Sequence, residues 1–299
     1  MASGSIMSYE GLRQDGRRWN ELRRMQCDLG VVSGADGSCS FTCGRTKIIA
    51  SCFVVPLSKQ KASAARVPTT ATTAAAAAST APRVELRVSW LPFATQERRE
   101  RGRTDRQVVD LEGKLKQTAC AMLDASSAVF QKQTASGRGS SGAARGNNME
   151  VQIKVAVLQA DGGVRSCCVN AVTCAIGMAN LVCGCLVVSC GCTAQQLGRT
   201  LRETRMLQSR GEEEEGKRLL LDPNGAETTK LGELSLSVTS AADRRQFQDV
   251  VSINCEAKLT PEEFEEAVET CAEGCRAVSK FLRRKLLDYM TKVATISSH

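Results

Sequence analysis

A dense group of arginines between Gln96 and Arg106 is the part of this sequence best suited to bind anions. The segment reads QERRERGRTDR and ends where a helix is predicted to begin. A helix N-terminus adds backbone N–H donors and the positive end of the helix dipole, which together favour phosphate. Few aromatic residues accompany the arginines, so we expect contacts with a phosphate backbone and little base stacking. The candidate phosphate-contacting residues are Arg98, Arg99, Arg103 and Arg106, and the alternative is a solvated charged loop.

The single histidine of the sequence, His299, argues against several classes of enzyme. Serine-triad hydrolases, Cys-His proteases and zinc enzymes with histidine ligands all depend on imidazole chemistry. Any catalysis by this chain would therefore have to use carboxylates, arginine, lysine or cysteine.

Fifteen cysteines are a second unusual feature of the composition. Their number is odd and no export signal is visible, which argues against a disulfide framework. The alternative is zinc bound by Cys183-Gly-Cys185 and Cys190-Gly-Cys192, but zinc sites usually separate paired cysteines by two to four residues. Because reduced cysteine packs as a small hydrophobic residue, we predict buried thiols and no metal site.

Length and composition predict one folded domain over residues 1–299, with 42% hydrophobic but only 4% aromatic residues. The chain has 40 Lys and Arg against 32 Asp and Glu, a net charge of +8. The most apolar stretch, near 181–190, is about half as long as a membrane span, so no membrane is expected as a partner. No secretory signal is expected at the start of the sequence.

Three stretches read as insertions and not as core, near 59–82, 134–148 and 202–218. The first is rich in Ala, Thr and Ser, the second in Gly and Ser, and the third carries the charged run EEEE. Such compositions are typical of loops, linkers and solvated segments.

The remaining sequence alternates between strand and helix patterns, which is typical of a fold that combines α-helices with mixed β-sheets. At 260–263 the sequence TPEE combines an N-cap, a proline at the first helical position and a capping-box glutamate. Strands are predicted at 25–32, 38–43, 46–55, 84–90, 149–159, 181–190, 219–221, 231–239 and 250–257. Helices are predicted at 105–122 with Thr104 as N-cap, at 170–179, and from 261 onward.

Several motifs in this order resemble the ribonuclease PH family, in particular its ring-forming branch in the RNA exosome. The motif DGRR at 15–18 is followed by ELR at 21–23, and LQADGG lies about 140 residues further on at 158–163. Supporting matches are ADGS at 35–38, CGRTK at 43–47 and CVNAVT at 168–173. Two specific motifs in the expected order and spacing make this resemblance stronger than either motif alone.

The resemblance implies the ribonuclease PH fold, an α+β or α/β arrangement of mixed sheets packed with helices and similar to domain 2 of ribosomal protein S5. It implies six such subunits in a ring with a central channel for single-stranded RNA. The implied partners are other ribonuclease PH-like subunits, RNA-binding cap subunits and an associated hydrolytic nuclease. The implied locations are nucleus, nucleolus and cytoplasm.

Active members of the family cleave RNA from its 3′ end with inorganic phosphate, and the resemblance maps their site onto this chain. Gly163 and Arg165 fall at the phosphate-binding turn, where Val164 replaces a hydroxyl residue and so cannot donate a hydrogen bond. Asp222 falls at the catalytic carboxylate, while Thr228 stands where a second acid is usual. Arg106 falls at a position that contacts RNA or phosphate in the family, so the four candidate arginines become candidate RNA-binding residues.

These substitutions favour a non-catalytic exosome ring subunit that guides RNA during RNA processing, rRNA maturation and degradation. No cofactor is then expected. The alternative is an active phosphorolytic 3′–5′ exoribonuclease, which would use inorganic phosphate and Mg²⁺. A third interpretation, a free-standing homohexamer that trims tRNA, fits the exosome-type motifs less well.

Overall fold

A computed structural model describes residues 12–56, 83–95, 97–98, 100–124, 149–179, 181, 183–196, 217–240 and 249–297. The strands are β1 (Met25–Leu29), β2 (Gly37–Cys43), β3 (Thr46–Pro56), β4 (Arg83–Trp90), β5 (Met149–Gln159), β6 (Leu186–Gln196), β7 (Lys217–Leu221), β8 (Leu234–Ser240) and β9 (Val250–Cys255). The α-helices are α1 (Arg106–Asp124), α2 (Val164–Met178), α3 (Gly225–Leu231) and α4 (Pro261–Ser297), and a 3-10 turn covers Pro92–Ala94.

The first sheet has the strand order β1-β2-β3-β5-β4. Its strands pair antiparallel except for β4, which runs parallel to β5, so the sheet is mixed as predicted. The β2–β3 hairpin closes with Cys43 opposite Thr46. Gly44 forms this tight turn at φ +59, a conformation that residues with a side chain rarely adopt.

The second sheet has the order β7-β6-β8-β9 and is antiparallel throughout. Helix α2 lies between the two sheets, in contact with β2 and β3 on one side and β6 on the other. Helix α4 covers the outer face of the second sheet through β6 and β8, while α1 packs against β4 and α2. The core is therefore continuous across both sheets.

Helix α1 confirms the predicted apolar face, since Val108, Leu111, Leu115, Ala119 and Met122 are all buried. Its start differs from the prediction by a residue: the helix begins at Arg106, and Asp105 Oδ1 accepts the N–H of Gln107 at 3.0 Å. Asp105 therefore caps the helix in place of Thr104.

Helix α4 also begins as predicted, because Thr260 and Glu263 form both hydrogen bonds of a capping box, at 3.4 and 2.9 Å. Several other predictions were wrong in their bounds: helix α2 begins at Val164, not at 170, β6 covers Leu186–Gln196, not 181–190, and β8 begins at Leu234, not at 231. Helix α3 was not predicted. Helix α2 is buried on all sides over Ser166–Ile176, so it carries little of the helical period on which the prediction relied.

The insertions near 59–82 and 134–148 lie outside the described residues, as does 202–216, whereas Lys217 and Arg218 belong to β7. All fifteen cysteines are free and eleven of them are buried, which agrees with the expectation that they pack as small hydrophobic residues. Within the described part of the chain, no helix combines the length and the apolar character that crossing a membrane would require.

Candidate functional site

Arg13 joins the N-terminal segment to β7 and α3 through a buried ion pair. Its Nε donates to Glu227 Oε1 at 2.9 Å, and its Nη2 contacts the other carboxylate oxygen. Its Nη1 donates to the carbonyl of Leu221 at 2.6 Å. Both charged side chains are almost fully buried, so this bidentate pair is excluded from water and fixes the position of the DGRR motif.

Arg23, from the ELR motif, makes a second buried ion pair with Asp222. Its backbone N–H and its Nε donate to Asp222 Oδ2 at 2.9 and 3.0 Å, and its Nη2 donates to Oδ1 at 2.7 Å. Its Nη1 donates to the carbonyl of Asp161 at 2.6 Å. Arg23 therefore occupies both oxygens of the predicted catalytic carboxylate.

The ionisation of Asp222 follows from this pair. Burial alone would raise the pKa of the carboxyl, but the charge and hydrogen bonds of Arg23 outweigh burial and hold the pKa below its usual range. Burial alone would lower the pKa of Arg23, and Asp222 raises it instead. Both groups stay charged at neutral pH, so Asp222 is an anion already paired with a cation.

The turn of the LQADGG motif lies directly against this ion pair. Thr46 Oγ1 donates to the Gly162 carbonyl at 2.8 Å and accepts the Asp161 N–H at 3.0 Å. Gly162 has φ +72, and a Cβ there would lie 2.4 Å from the backbone carbon of Asn224. The ELR and LQADGG motifs thus meet in space, and glycine is required at 162 because the backbone of Asn224 approaches it closely.

Gly163 and Arg165 lie at the start of α2 but face different surroundings. Gly163 is the N-cap at φ +60, and a Cβ there would lie 2.5 Å from Arg23 Nη2. Arg165 donates to Asp110 at 2.8 Å and to Glu256 at 2.6 Å. The arginine predicted to bind phosphate is therefore held by two carboxylates.

Thr228 stands at the other altered position of the family site. Its hydroxyl donates to the carbonyl of Asn224 at 2.9 Å, four residues earlier in the chain. The side chain completes the first turn of α3 and offers no carboxylate beside Asp222.

Glu233 is a buried acid that the sequence analysis did not single out. Burial raises the pKa of its carboxyl to about 7, and the negative charge of Asp222 adds to the shift. Arg23 and the N–H of Gly163 offset part of this effect. Its Oε1 has no hydrogen-bond partner among the described residues. A protonated carboxyl beneath the Gly163 turn is therefore populated near neutral pH.

Two clefts open on the solvent side of these ion pairs. The first, of about 470 Å³, is lined by Gln14, Asp15, Arg17, Arg23, Arg24, Gly44, Arg45, Asp161, Asn224 and Ala226. The second, of about 590 Å³, is lined by Arg45, Lys47, Phe93, Ala94, Thr95, Arg98, Leu158, Gln159, Ala160 and Asp161. They share Arg45 and Asp161, so they form one continuous surface that is rich in cations.

The model of the 3′ exoribonuclease family, domain 1 (RNase PH), matches residues 21–182 of this chain. The exosome complex component RRP41 homolog of Arabidopsis thaliana is 31% identical over 284 residues, which cover 93% of this chain and 92% of the plant protein. The chain belongs to the RNase PH family of 3′ exoribonucleases. The resemblance found in the sequence motifs is thereby confirmed.

Solved structures confirm the RNase PH fold. Rrp46 from rice (Oryza sativa) matches with a TM-score of 0.61 at 19% identity, over 92% of this chain and 100% of that chain. A chain of the Archaeoglobus fulgidus exosome with RNA bound to the active site matches with a TM-score of 0.61 at 15% identity, over 91% of this chain and 92% of that chain.

The arginines of the basic segment at 96–106, which connects β4 to α1 in this RNase PH-family chain, line different clefts. Arg98 lines the second cleft, beside Lys47. Arg103 lines a separate cleft of about 500 Å³ next to Trp90, over whose ring the guanidinium of Arg101 stacks at 4.3 Å. Arg106 is exposed and opens α1, and Arg99 lies outside the described residues. Of the described candidates, Arg98, Arg103 and Arg106 therefore do not line one common cleft.

Sequence reasoning missed the acid partners of Arg13 and Arg23. The available signal was chemical, since an arginine beside apolar residues needs a carboxylate when it is buried, and Asp222 and Glu227 are such acids. Their separation of about 200 residues in the chain hid the pairing.

Proposed function

We propose that this chain is a subunit of an exosome ring and that it binds single-stranded RNA without cleaving it. The likeness to the plant RRP41 homolog, which extends over more than nine tenths of both chains, supports the exosome branch of the family. The proposed partners are other RNase PH-like subunits, RNA-binding cap subunits and a hydrolytic nuclease. The proposed locations are nucleus, nucleolus and cytoplasm.

One observation carries the non-catalytic part of this proposal: the groups that phosphorolysis would need are engaged elsewhere. Asp222 is held by Arg23, and Arg165 is held by Asp110 and Glu256. Phosphorolysis requires a cationic pocket that holds inorganic phosphate beside the terminal phosphodiester and a carboxylate that acts as an acid or holds a metal ion.

The same residues do not fit a magnesium ion. Both oxygens of Asp222 accept hydrogen bonds from Arg23, and Thr228 supplies no second carboxylate. Mg²⁺ is usually held by one or two carboxylates together with substrate phosphates. The proposal therefore assigns no metal and no cofactor to this chain.

Cations at the surface of the two clefts support RNA binding. Arg24, Arg45, Lys47 and Arg98 are exposed, and among the described residues no carboxylate forms an ion pair with them. Contacts between cations and phosphates are independent of base sequence, which suits a channel that threads many RNAs.

The test is a phosphorolysis assay on the complex purified through this chain. Labelled RNA is incubated with inorganic phosphate, and nucleoside diphosphate release is measured in parallel with RNA binding. We expect RNA binding with no nucleoside diphosphate release. An active exoribonuclease, the alternative, would be established by nucleoside diphosphate release that disappears in Arg24→Ala/Arg45→Ala and persists in Lys292→Ala. Lys292 lies on the exposed end of α4 and serves as the control.

A further inference from the structure

Phe93 is a large apolar side chain that the fold holds at the surface. It is 64% exposed. The Pro92–Ala94 turn that carries it is held by backbone hydrogen bonds on both sides. The Leu91 N–H donates to the Val157 carbonyl at 3.3 Å, and the Ala160 N–H donates to the Ala94 carbonyl at 2.9 Å. Because the backbone is anchored to β5, the phenyl ring cannot reach the core without breaking these hydrogen bonds.

The ring lines the second cleft, here named the Phe93 cleft, together with three cations. Arg45 and Lys47 come from the β2–β3 hairpin and its following strand, and Arg98 comes from the segment after the 3-10 turn. The acid among the described lining residues is Asp161, whose Oδ1 accepts the Gly225 N–H at 3.1 Å. The cleft therefore combines an exposed aromatic face with excess positive charge.

We propose that the Phe93 cleft binds one nucleotide of single-stranded RNA, with its base stacked on Phe93 and its phosphates beside Arg45, Lys47 and Arg98. Nucleotides carry an aromatic face and an anionic backbone, which is the combination that this cleft complements. The proposal rests on the proposed function and deepens it. It also revises the sequence expectation that base stacking contributes little.

The neighbouring cleft supports a continuous RNA path. Arg45 and Asp161 line both clefts, so a nucleotide on Phe93 places an adjoining phosphate near Arg45 at the shared border. Arg24 in the first cleft extends the positive surface in the same direction, whereas Arg17 there is paired with Asp15 at 2.7 Å. The strand of RNA would thus run from the Phe93 cleft toward the Arg23–Asp222 ion pair.

The experiment compares Phe93→Ala and Phe93→Tyr in the assembled complex, with RNA oligonucleotides that are intact or carry one abasic nucleotide at successive positions. Loss of one base–aromatic stack weakens binding by about 10-fold. We expect this loss for Phe93→Ala with intact RNA, and binding close to wild type for Phe93→Tyr. Val109→Ala is the matched control, because Val109 is an exposed apolar residue on α1 outside the cleft.

The abasic series identifies stacking as the cause. At one position along the RNA, an abasic nucleotide is expected to weaken binding to the wild-type complex about 10-fold relative to intact RNA. Phe93→Ala should weaken the binding of that abasic RNA no further. If wild type binds RNA but Phe93→Ala binds intact RNA equally well, the inference is overturned and the proposed function stands. If wild type binds no RNA, the proposed function itself fails. If poly-glutamate displaces the RNA, and its binding depends on Phe93 as strongly as RNA binding does, the cleft is a site for an acidic peptide and the inference is overturned.

Discussion

Arg23 and Asp222, the predicted catalytic carboxylate, form a buried ion pair between distant parts of the chain. Two buried charges are costly unless they are paired, and removing one partner leaves the other uncompensated. In this chain the pair links the N-terminal ELR motif to the residue that follows β7, 199 positions away. The chemistry of the site is thus tied to the stability of the fold.

We predict that Arg23→Met lowers the free energy of unfolding by about 3–5 kcal/mol, because Asp222 is left buried with only the more distant Arg17, at 4.0 Å, as a counter-ion. The measurement is thermal unfolding of the assembled protein. Arg24→Met is the matched control, since Arg24 is the exposed neighbour, and its effect should stay within about 0.5 kcal/mol. Equal losses in both variants would contradict a specific role for the buried pair.

Glu233 predicts a dependence of stability on pH. Its folded pKa of about 7 exceeds the ordinary value of 4.5, so the folded protein retains a proton that the unfolded chain releases. The stability associated with this proton is full below pH 4.5 and is lost as pH rises through about 7.

Glu233→Gln should therefore raise the free energy of unfolding at pH 8, by at most about 3 kcal/mol, and change it little at pH 4.5. Thermal unfolding at both pH values measures the difference. Glu273→Gln, at an exposed position of α4, provides the control. An identical effect of Glu233→Gln at both pH values would show that folding does not raise the pKa of this carboxyl.

At the residue scale, motif resemblance singled out Asp222, Gly163 and Arg165 as candidate site residues. It was insufficient to find what those side chains contact. The partners Arg23, Asp110 and Glu256 lie on other elements, and only the folded chain brings them together.

At the scale of elements, prediction succeeded where a local signal was present. Helix α4 has a capping box, and α1 and β5 have clear apolar patterns, so their positions were predicted closely. Helix α2 lies between two sheets and lacks a polar face, so its first six residues were missed. Helix α3 has seven residues, which is too short for a periodic pattern.

Arginines of the β4–α1 connection line different clefts. Substitutions in the Phe93 cleft should therefore change the salt dependence of RNA binding. Each phosphate contact with single-stranded RNA contributes a slope of about −0.7 to log affinity against log salt. Replacing Lys47 and Arg98, both in the Phe93 cleft, by alanine should flatten the slope by about 1.4. RNA binding at several salt concentrations tests this, with Lys292→Ala as control. A steep slope that survives the double substitution would place the RNA elsewhere.

At the scale of the whole molecule, the sheet geometry explains why the fold is expected to tolerate a shorter connection between β3 and β4. Pro56 lies opposite Met149 on β5, and Arg83 lies opposite the next residue, Glu150. The ends of the connection are therefore two strand spacings apart, about 10 Å. Three extended residues span that distance.

Deleting residues 61–79 leaves seven residues between Pro56 and Arg83, so we predict that the fold and the ring assembly survive. Size-exclusion chromatography of the co-purified complex, alongside thermal unfolding, measures both properties. Loss of assembly with an unchanged unfolding midpoint would identify the insertion as an interface with a neighbouring subunit.

The mass and composition of the native complex test the central claim most directly. The complex is purified through a tag on this chain and analysed by native mass spectrometry, with each subunit identified from its peptides. We predict a hetero-oligomer that contains six RNase PH-like subunits, this chain among them, with further subunits attached to the ring. A monomer, or a homohexamer of this chain alone, would contradict the account.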